Sequence, residues 1–157
     1  MRTNNEDMAL VDDVLVRNES FSEKFEVKPD NRLMLALADG MGGHNCGEVA
    51  SNDTLTNLRF FFRDLPATLD DEPFRQALKD WLKSICMLID SKGKSHQVYQ
   101  GMGTTLVGMV YFSGRYYWIN WGDSRRAMYI TSASLVADTR RLCPVSPRRA
   151  AAISGSA

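Results

Sequence analysis

Residues 33–38, Leu-Met-Leu-Ala-Leu-Ala, are apolar at every position and are followed by Asp39-Gly40. A short run with no polar side predicts a strand covered on both faces, ending at that acid–glycine pair. Residues 7–16 mix acids with β-branched residues and predict a strand or a hairpin. Between them, residues 19–31 form a charged connector closing on Pro29-Asp30-Asn31, which is turn chemistry. From Gly47 the period changes. Leu55, Leu58, Phe62 and Leu65 recur at helical spacing up to Pro66, and Phe74, Leu78, Trp81, Ile85 and Leu88 repeat that rhythm over 71–89. Each set is an apolar stripe that faces a core. A glycine-containing loop is expected over 91–103, then strands over 104–112 and 116–121 joined at Ser113-Gly114, and a third over 125–130. Strands, two helices and a run of strands in that order predict an α+β fold with helices packed on a largely antiparallel sheet.

Composition changes this picture little. With 157 residues the chain suits one domain, and its 44% hydrophobic and 24% charged content is that of an ordinary globular protein. A formal net charge of zero selects neither nucleic acid nor an acidic membrane as partner. The even total hides a seam, because residues 131–157 hold four arginines against the single acid Asp138. Three cysteines, Cys46, Cys86 and Cys143, stand far apart without CxxC spacing, which points to a reducing compartment, the cytoplasm. The polar, acidic start is no signal peptide, and no run has the length of a membrane span. Trp118, Trp121, Tyr116 and Tyr117 crowd one strand, but only Arg115 is basic beside them, so core packing explains them better than base stacking.

Three polar or glycine-rich clusters adjoin apolar runs: Arg2 with Asn5-Glu6-Asp7, Asp39-Gly40-Met41-Gly42-Gly43-His44, and Gly122-Asp123-Ser124-Arg125. An acid at the end of a buried strand is held rigidly while its carboxylate reaches the rim, and a following glycine lets the backbone turn a carbonyl outward. Carboxylates, a carbonyl and water are the ligands Mg²⁺ or Mn²⁺ prefers. Two such ions activate water and stabilise phosphoryl oxygens, and an arginine clamps the phosphate. Acid–glycine pairs are also ordinary turns, and each cluster taken alone leaves that reading open.

The strings RTNNEDM, LALADGMGGHNCGEVAS, GMGTTLVGMV and WINWGDSRRAMYI, in this order over residues 2–130, resemble the successive motifs of the protein phosphatase 2C family, bacterial branch. The resemblance implies a partial αββα β-sandwich flanked by helices. It implies a metal-dependent phosphatase acting on phosphoserine and phosphothreonine in proteins, with Mg²⁺ or Mn²⁺ as cofactor and a metal-activated water attacking phosphorus. It assigns Asp39 as the bridging metal ligand, the Gly40 carbonyl as a second ligand, and Glu6 with Asp7 as acids around a metal-bound water. Arg2 matches the phosphate-binding arginine, Asp123 an acid of a further metal site, and Thr104 and Thr105 supports of the metal-site strands. Where some relatives carry a proton-donating histidine this chain has Met41. His44, three residues on, is the candidate substitute, or a plain loop residue. Cys46 receives no catalytic role. The implied partners are phosphorylated proteins and a serine/threonine kinase.

After Ile130 the expected motifs stop. Residues 1–130 are therefore expected to be a truncated family domain, and 131–157 a disordered, non-family tail that reads like a shifted frame. Without the downstream aspartates the expectation is a domain with little or no activity and with open edges prone to self-association. Two other readings stand beside it: a non-catalytic remnant that binds a phosphoprotein or kinase, and a frameshifted product that does not fold stably.

Overall fold

The computed structural model describes residues 5–26, 28, 30–42 and 46–122, and the backbone of the strand 128–134. The sheet opens with a hairpin of β1 (Asp7–Val11) and β2 (Val14–Val16), turned at Asp12, whose φ of 53° places it in the left-handed region. β3 (Leu33–Met41) pairs antiparallel with β1, setting Asp7 opposite Asp39 and Leu10 opposite Ala36. It runs three residues further than the apolar pattern, because Asp39, Gly40 and Met41 continue the ladder. Gly40 and Met41 there take β4 (Gly103–Thr104) as their partner.

Two helices follow β3. α1 (Cys46–Asp64) buries Leu55, Leu58 and Phe62 as the stripe predicts. α2 (Asp71–Ser95) runs six residues past the predicted end at Ile89, so 91–95, expected as loop, are helical. Its buried face is Phe74, Leu78, Leu82, Ile85 and Ile89, whereas Leu88 is exposed. A 3-10 turn over Gln97–Tyr99 leads to β4. Thr105 then interrupts the strand expected over 104–112, so that β5 begins afresh (Leu106–Phe112).

β5 pairs with β3 and with β6 (Arg115–Trp121), and β6 with β7 (Met128–Ser134), all antiparallel. The third strand of this run therefore starts three residues later and ends four later than the pattern suggested. Ser113 and Gly114 join β5 to β6 with φ of 49° and 75°, the doubly left-handed geometry of a type I′ hairpin. The path is β2-β1-β3-β5-β6-β7, with β4 added at the end of β3. The fold is α+β: a largely antiparallel sheet with two helices.

The core lies between sheet and helices. Leu10, Met34, Val110, Phe112, Tyr117 and Ile119 from the strands meet Leu55, Leu58, Phe74 and Leu78 from the helices. Phe74 stacks on Phe112 at 4.7 Å and meets Tyr117 at 4.4 Å, aromatic contacts worth about 0.5–1.5 kcal/mol each beyond their burial. The Tyr117 hydroxyl donates to Asp71 at 2.8 Å, tying the first turn of α2 to β6. The aromatic strand is split by alternation: Tyr117 is buried, while Trp118 on the opposite face is exposed.

The other face of the sheet is open among the described residues. Leu37 is 60% exposed, Trp118 50% and Val107 49%. The expectation that residues 33–38 are covered on both faces therefore holds on the helical side and fails at Leu37. The sheet and helix pair supply one strand layer and one helical layer of the expected sandwich.

Candidate functional site

The end of β3 is fastened from three sides. On one edge the Gly40 N–H donates to the Glu6 carbonyl at 3.2 Å, continuing the β1 pairing that sets Asp7 against Asp39. On the other edge the Asp39 carbonyl accepts the Thr105 N–H at 2.9 Å and the Thr104 hydroxyl at 3.0 Å. The Asp39 N–H donates to the Thr105 hydroxyl at 3.3 Å. From the helical side, α1 comes down directly on Gly40. A Cβ added to Gly40 would stand 1.9 Å from the Gly47 carbonyl oxygen, and one added to Gly47 would stand 2.8 Å from the Gly40 oxygen. Only two glycines permit this contact. Gly42, with φ of 140°, then turns the chain away from β3.

These fastenings assemble part of the expected set. Asp7 and Asp39 face each other across neighbouring strands, both exposed. Directly opposed side chains have Cβ atoms about 4.5–5.5 Å apart, and two carboxylates there repel unless a cation lies between them. Glu6, one position earlier and half-buried, turns toward α1: its carboxyl carbon would be 2.9 Å from a Cβ on Gly47. Arg2, His44 and Asp123 lie outside the described residues.

Three further residues hold this corner and had no signal in the spacing. Arg17, in the polar stretch after β2, donates to the Asn5 carbonyl at 2.6 Å, the Glu48 carbonyl at 3.0 Å and the Ser51 hydroxyl at 3.1 Å. Ser51, fully buried in α1, donates to the Glu6 carbonyl at 2.7 Å. Gly47 makes the close approach described above. Arg17 and Ser51 thus lock the segment before β1 onto α1. Gly47 and Ser51 both fall in the string GEVAS, so the motif contained them without revealing what they do.

The donor chemistry fits a hard divalent cation. Two carboxylates and water suit one hydrated Mg²⁺ or Mn²⁺, which keeps much of its own water shell. A two-ion centre needs more: among the described residues no group of three or more His, Cys, Asp or Glu could hold a metal ion. Cysteine chemistry finds no support at this corner. Cys46 is buried, with its thiol 2.7 Å from the Val98 carbonyl, and burial pushes the Cys86 thiol up to about 11. The Cys-x5-Arg spacing of cysteine phosphatases is met only by Cys143 and Arg149, outside the described residues.

Comparison with known proteins bears on the same region. The serine/threonine phosphatase Stp of Listeria monocytogenes is 34% identical over 108 residues, spanning 69% of this chain and 42% of Stp. The chain belongs to the bacterial protein phosphatase 2C family, matching its amino-terminal part. No family model matches the sequence. The family likeness extends to solved structures: serine/threonine phosphatase Stp1 from Staphylococcus aureus superposes with a TM-score of 0.59 at 27% identity, over 85% of this chain and 49% of Stp1. The catalytic domain of the phosphatase PstP, solved in complex with two manganese ions, gives 0.55 at 29% identity over 85% of this chain and 50% of that domain. The chain spans less than half the length of the curated relatives it matches. Among the described residues no helix is long and apolar enough to cross a membrane.

Proposed function

We propose that this chain carries the Asp39 corner of a metal-dependent phosphoprotein phosphatase, acting on phosphoserine and phosphothreonine in the cytoplasm opposite a serine/threonine kinase. The observation that carries the reading is the register of β1 and β3, which opposes Asp7 to Asp39 beside Gly40. Asp39 and Asp7 would hold the ion, with the Gly40 carbonyl at its edge. Glu6 would orient water from the side of α1, and Arg2 would grip the phosphate. Mg²⁺ or Mn²⁺ bound there would supply an activated water and neutralise phosphoryl charge. The bonds from Thr104 and Thr105 hold the Asp39 backbone at the end of β3, which supports a rigid position for a ligand residue there. His44 remains the candidate proton donor to the leaving group.

The described residues supply too few carboxylates for two ions, and the reading therefore includes a division of labour. This chain binds a cation but turns over little or no substrate until further carboxylates complete the site. Incubating the chain with Mn²⁺ and a phosphothreonine peptide tests both halves. Mn²⁺ binding with negligible phosphate release is expected. Rapid Mn²⁺-dependent release would contradict the incompleteness, and failure to bind Mn²⁺ would contradict the site itself.

A further inference from the structure

The β1–β2 ladder ends at the pair Ala9 and Val16, so toward the carboxylate corner β2 offers Met8 and Asp7 no further rung. Side chains take over there. Arg17, the residue after β2, donates to the Asn5 carbonyl at 2.6 Å, the Glu48 carbonyl at 3.0 Å, the Ser51 hydroxyl at 3.1 Å and the Met8 sulfur at 3.4 Å. Asn5 reciprocates. Its side-chain amide donates to the Arg17 carbonyl at 2.8 Å and the Asn18 side-chain oxygen at 3.2 Å, and its side-chain oxygen accepts the Asp7 N–H at 3.1 Å. The two residues close a latch across the open end of the hairpin. These partners of the guanidinium are neutral groups of its own chain, so Arg17 is set to hold backbone rather than to grip a phosphate.

What the latch holds is the face that Asp7 presents. Side chains alternate along a strand, so a slip of one residue would turn Asp7 toward the helices. Leu10, fully buried, anchors the middle of β1, and the latch anchors its first residue. The same guanidinium reaches the first turn of α1, where Gly47 packs on Gly40 beside Asp39. We infer that Arg17 and Asn5 are positioning residues for the carboxylate corner: by fixing Asp7 opposite Asp39 they set how tightly the corner takes a divalent cation. The inference rests on the proposed metal position, and both residues act through Asp7. Loss of Arg17 has opposite consequences for two roles. As a bare charge near carboxylates it would repel a cation, and its removal would tighten binding. As a positioning group its removal weakens binding.

The test is Mn²⁺ titration of the full chain, read by electron paramagnetic resonance of the free ion, in native, Asn5→Ala, Arg17→Met and Arg17→Lys chains. Weakening of about tenfold is expected in each variant, the scale at which loss of a group behind a ligand is felt. Arg17→Lys keeps the charge without the planar fork and should not restore affinity. Tyr117→Phe loosens the fold in the sheet row of Met34, at the other end of β3 from Asp39, and should leave affinity unchanged. Hydrogen exchange of the Asp7 amide should quicken in Asn5→Ala, with or without metal. Asn5 is exposed, so this variant carries the test if Arg17→Met does not fold. No Mn²⁺ uptake by the native chain overturns the metal position and this inference with it. Native uptake with equal or tighter binding in Asn5→Ala or in folded Arg17→Met overturns the latch alone. So does native affinity in Arg17→Lys, or an unchanged Asp7 exchange rate in Asn5→Ala.

Discussion

Gly40 and Gly47 approach until neither has room for a methyl group, and this contact sets where α1 begins relative to Asp39. Gly47→Ala must push α1 off β3, because the new Cβ would lie 2.7 Å from the Gly40 carbonyl carbon and 2.9 Å from the Glu6 carboxyl carbon. Overpacking of this kind costs about 1–3 kcal/mol. A lowered denaturation midpoint together with weaker Mn²⁺ binding is expected. A second residue-scale prediction concerns Asp71 and Tyr117. Burial raises the Asp71 pKa, but hydrogen bonds from Tyr117 and Arg75 and the charges of Arg75 and Arg115 outweigh it and leave it below 3.8. Burial, then the bond to Asp71, pushes Tyr117 up to about 12 from 10.0. A depressed acid stabilises the fold above its unfolded pKa, and that share is lost as pH falls below 3.8. A raised phenol stabilises below 10.0, and its share is lost as pH climbs from there toward about 12. Denaturant melts across pH should show both limbs in the native chain. Tyr117→Phe should remove the alkaline limb and cost about 1–2 kcal/mol at neutral pH, since Asp71 keeps its arginines.

At the scale of elements, α2 separates what periodicity can and cannot tell. A stripe of Phe74, Leu78, Trp81, Ile85 and Leu88 treats Leu78 and Leu88 alike, yet Leu78 is fully buried and Leu88 is 44% exposed. Leu78→Ala should cost about 2–5 kcal/mol and Leu88→Ala less than about 0.5, measurable by urea denaturation. The drift has a physical cause: the ideal helix turns every 3.6 residues, so a strict alternation of fours and threes slides around it over several turns. By the carboxyl half the buried positions have moved to Leu82, Ile85 and Ile89. α1, one turn shorter in its apolar stripe, shows little such drift, and its inner face was legible. The hairpin at Ser113-Gly114 was legible because few residue pairs accept two positive φ values. Gly93, by contrast, suggested a loop and proved helical, since packing overrides a weak local preference. Asp39 and Gly40 were misread as the strand's end. Their pairing with β4 depends on a segment more than sixty residues away, which no local pattern contains.

At the scale of the molecule, one sheet face is covered by helices and the other displays Leu37, Val107 and Trp118 beside Asp7 and Asp39. Contiguous exposed apolar surface promotes association. Sedimentation velocity should show this chain self-associating as concentration rises, and Leu37→Thr with Trp118→Thr should shift it toward monomer. The same face carries the opposed carboxylates, so any surface that covers it also walls the candidate metal position. The match covers only about half of the solved relatives, 49% of Stp1 and 50% of the PstP catalytic domain, and that domain is solved with two manganese ions. The proposed metal position is narrower than that whole enzyme: Asp7 and Asp39 oppose each other in the β1–β3 register, where a hard cation would lie between them. Electron paramagnetic resonance of free Mn²⁺ during titration of the chain tests it most directly. A saturable loss of free-ion signal is expected, with Asp39→Asn weakening binding about tenfold or more while circular dichroism stays unchanged. Equal affinity in the folded Asp39→Asn variant, or no uptake of Mn²⁺ by the native chain, would contradict it.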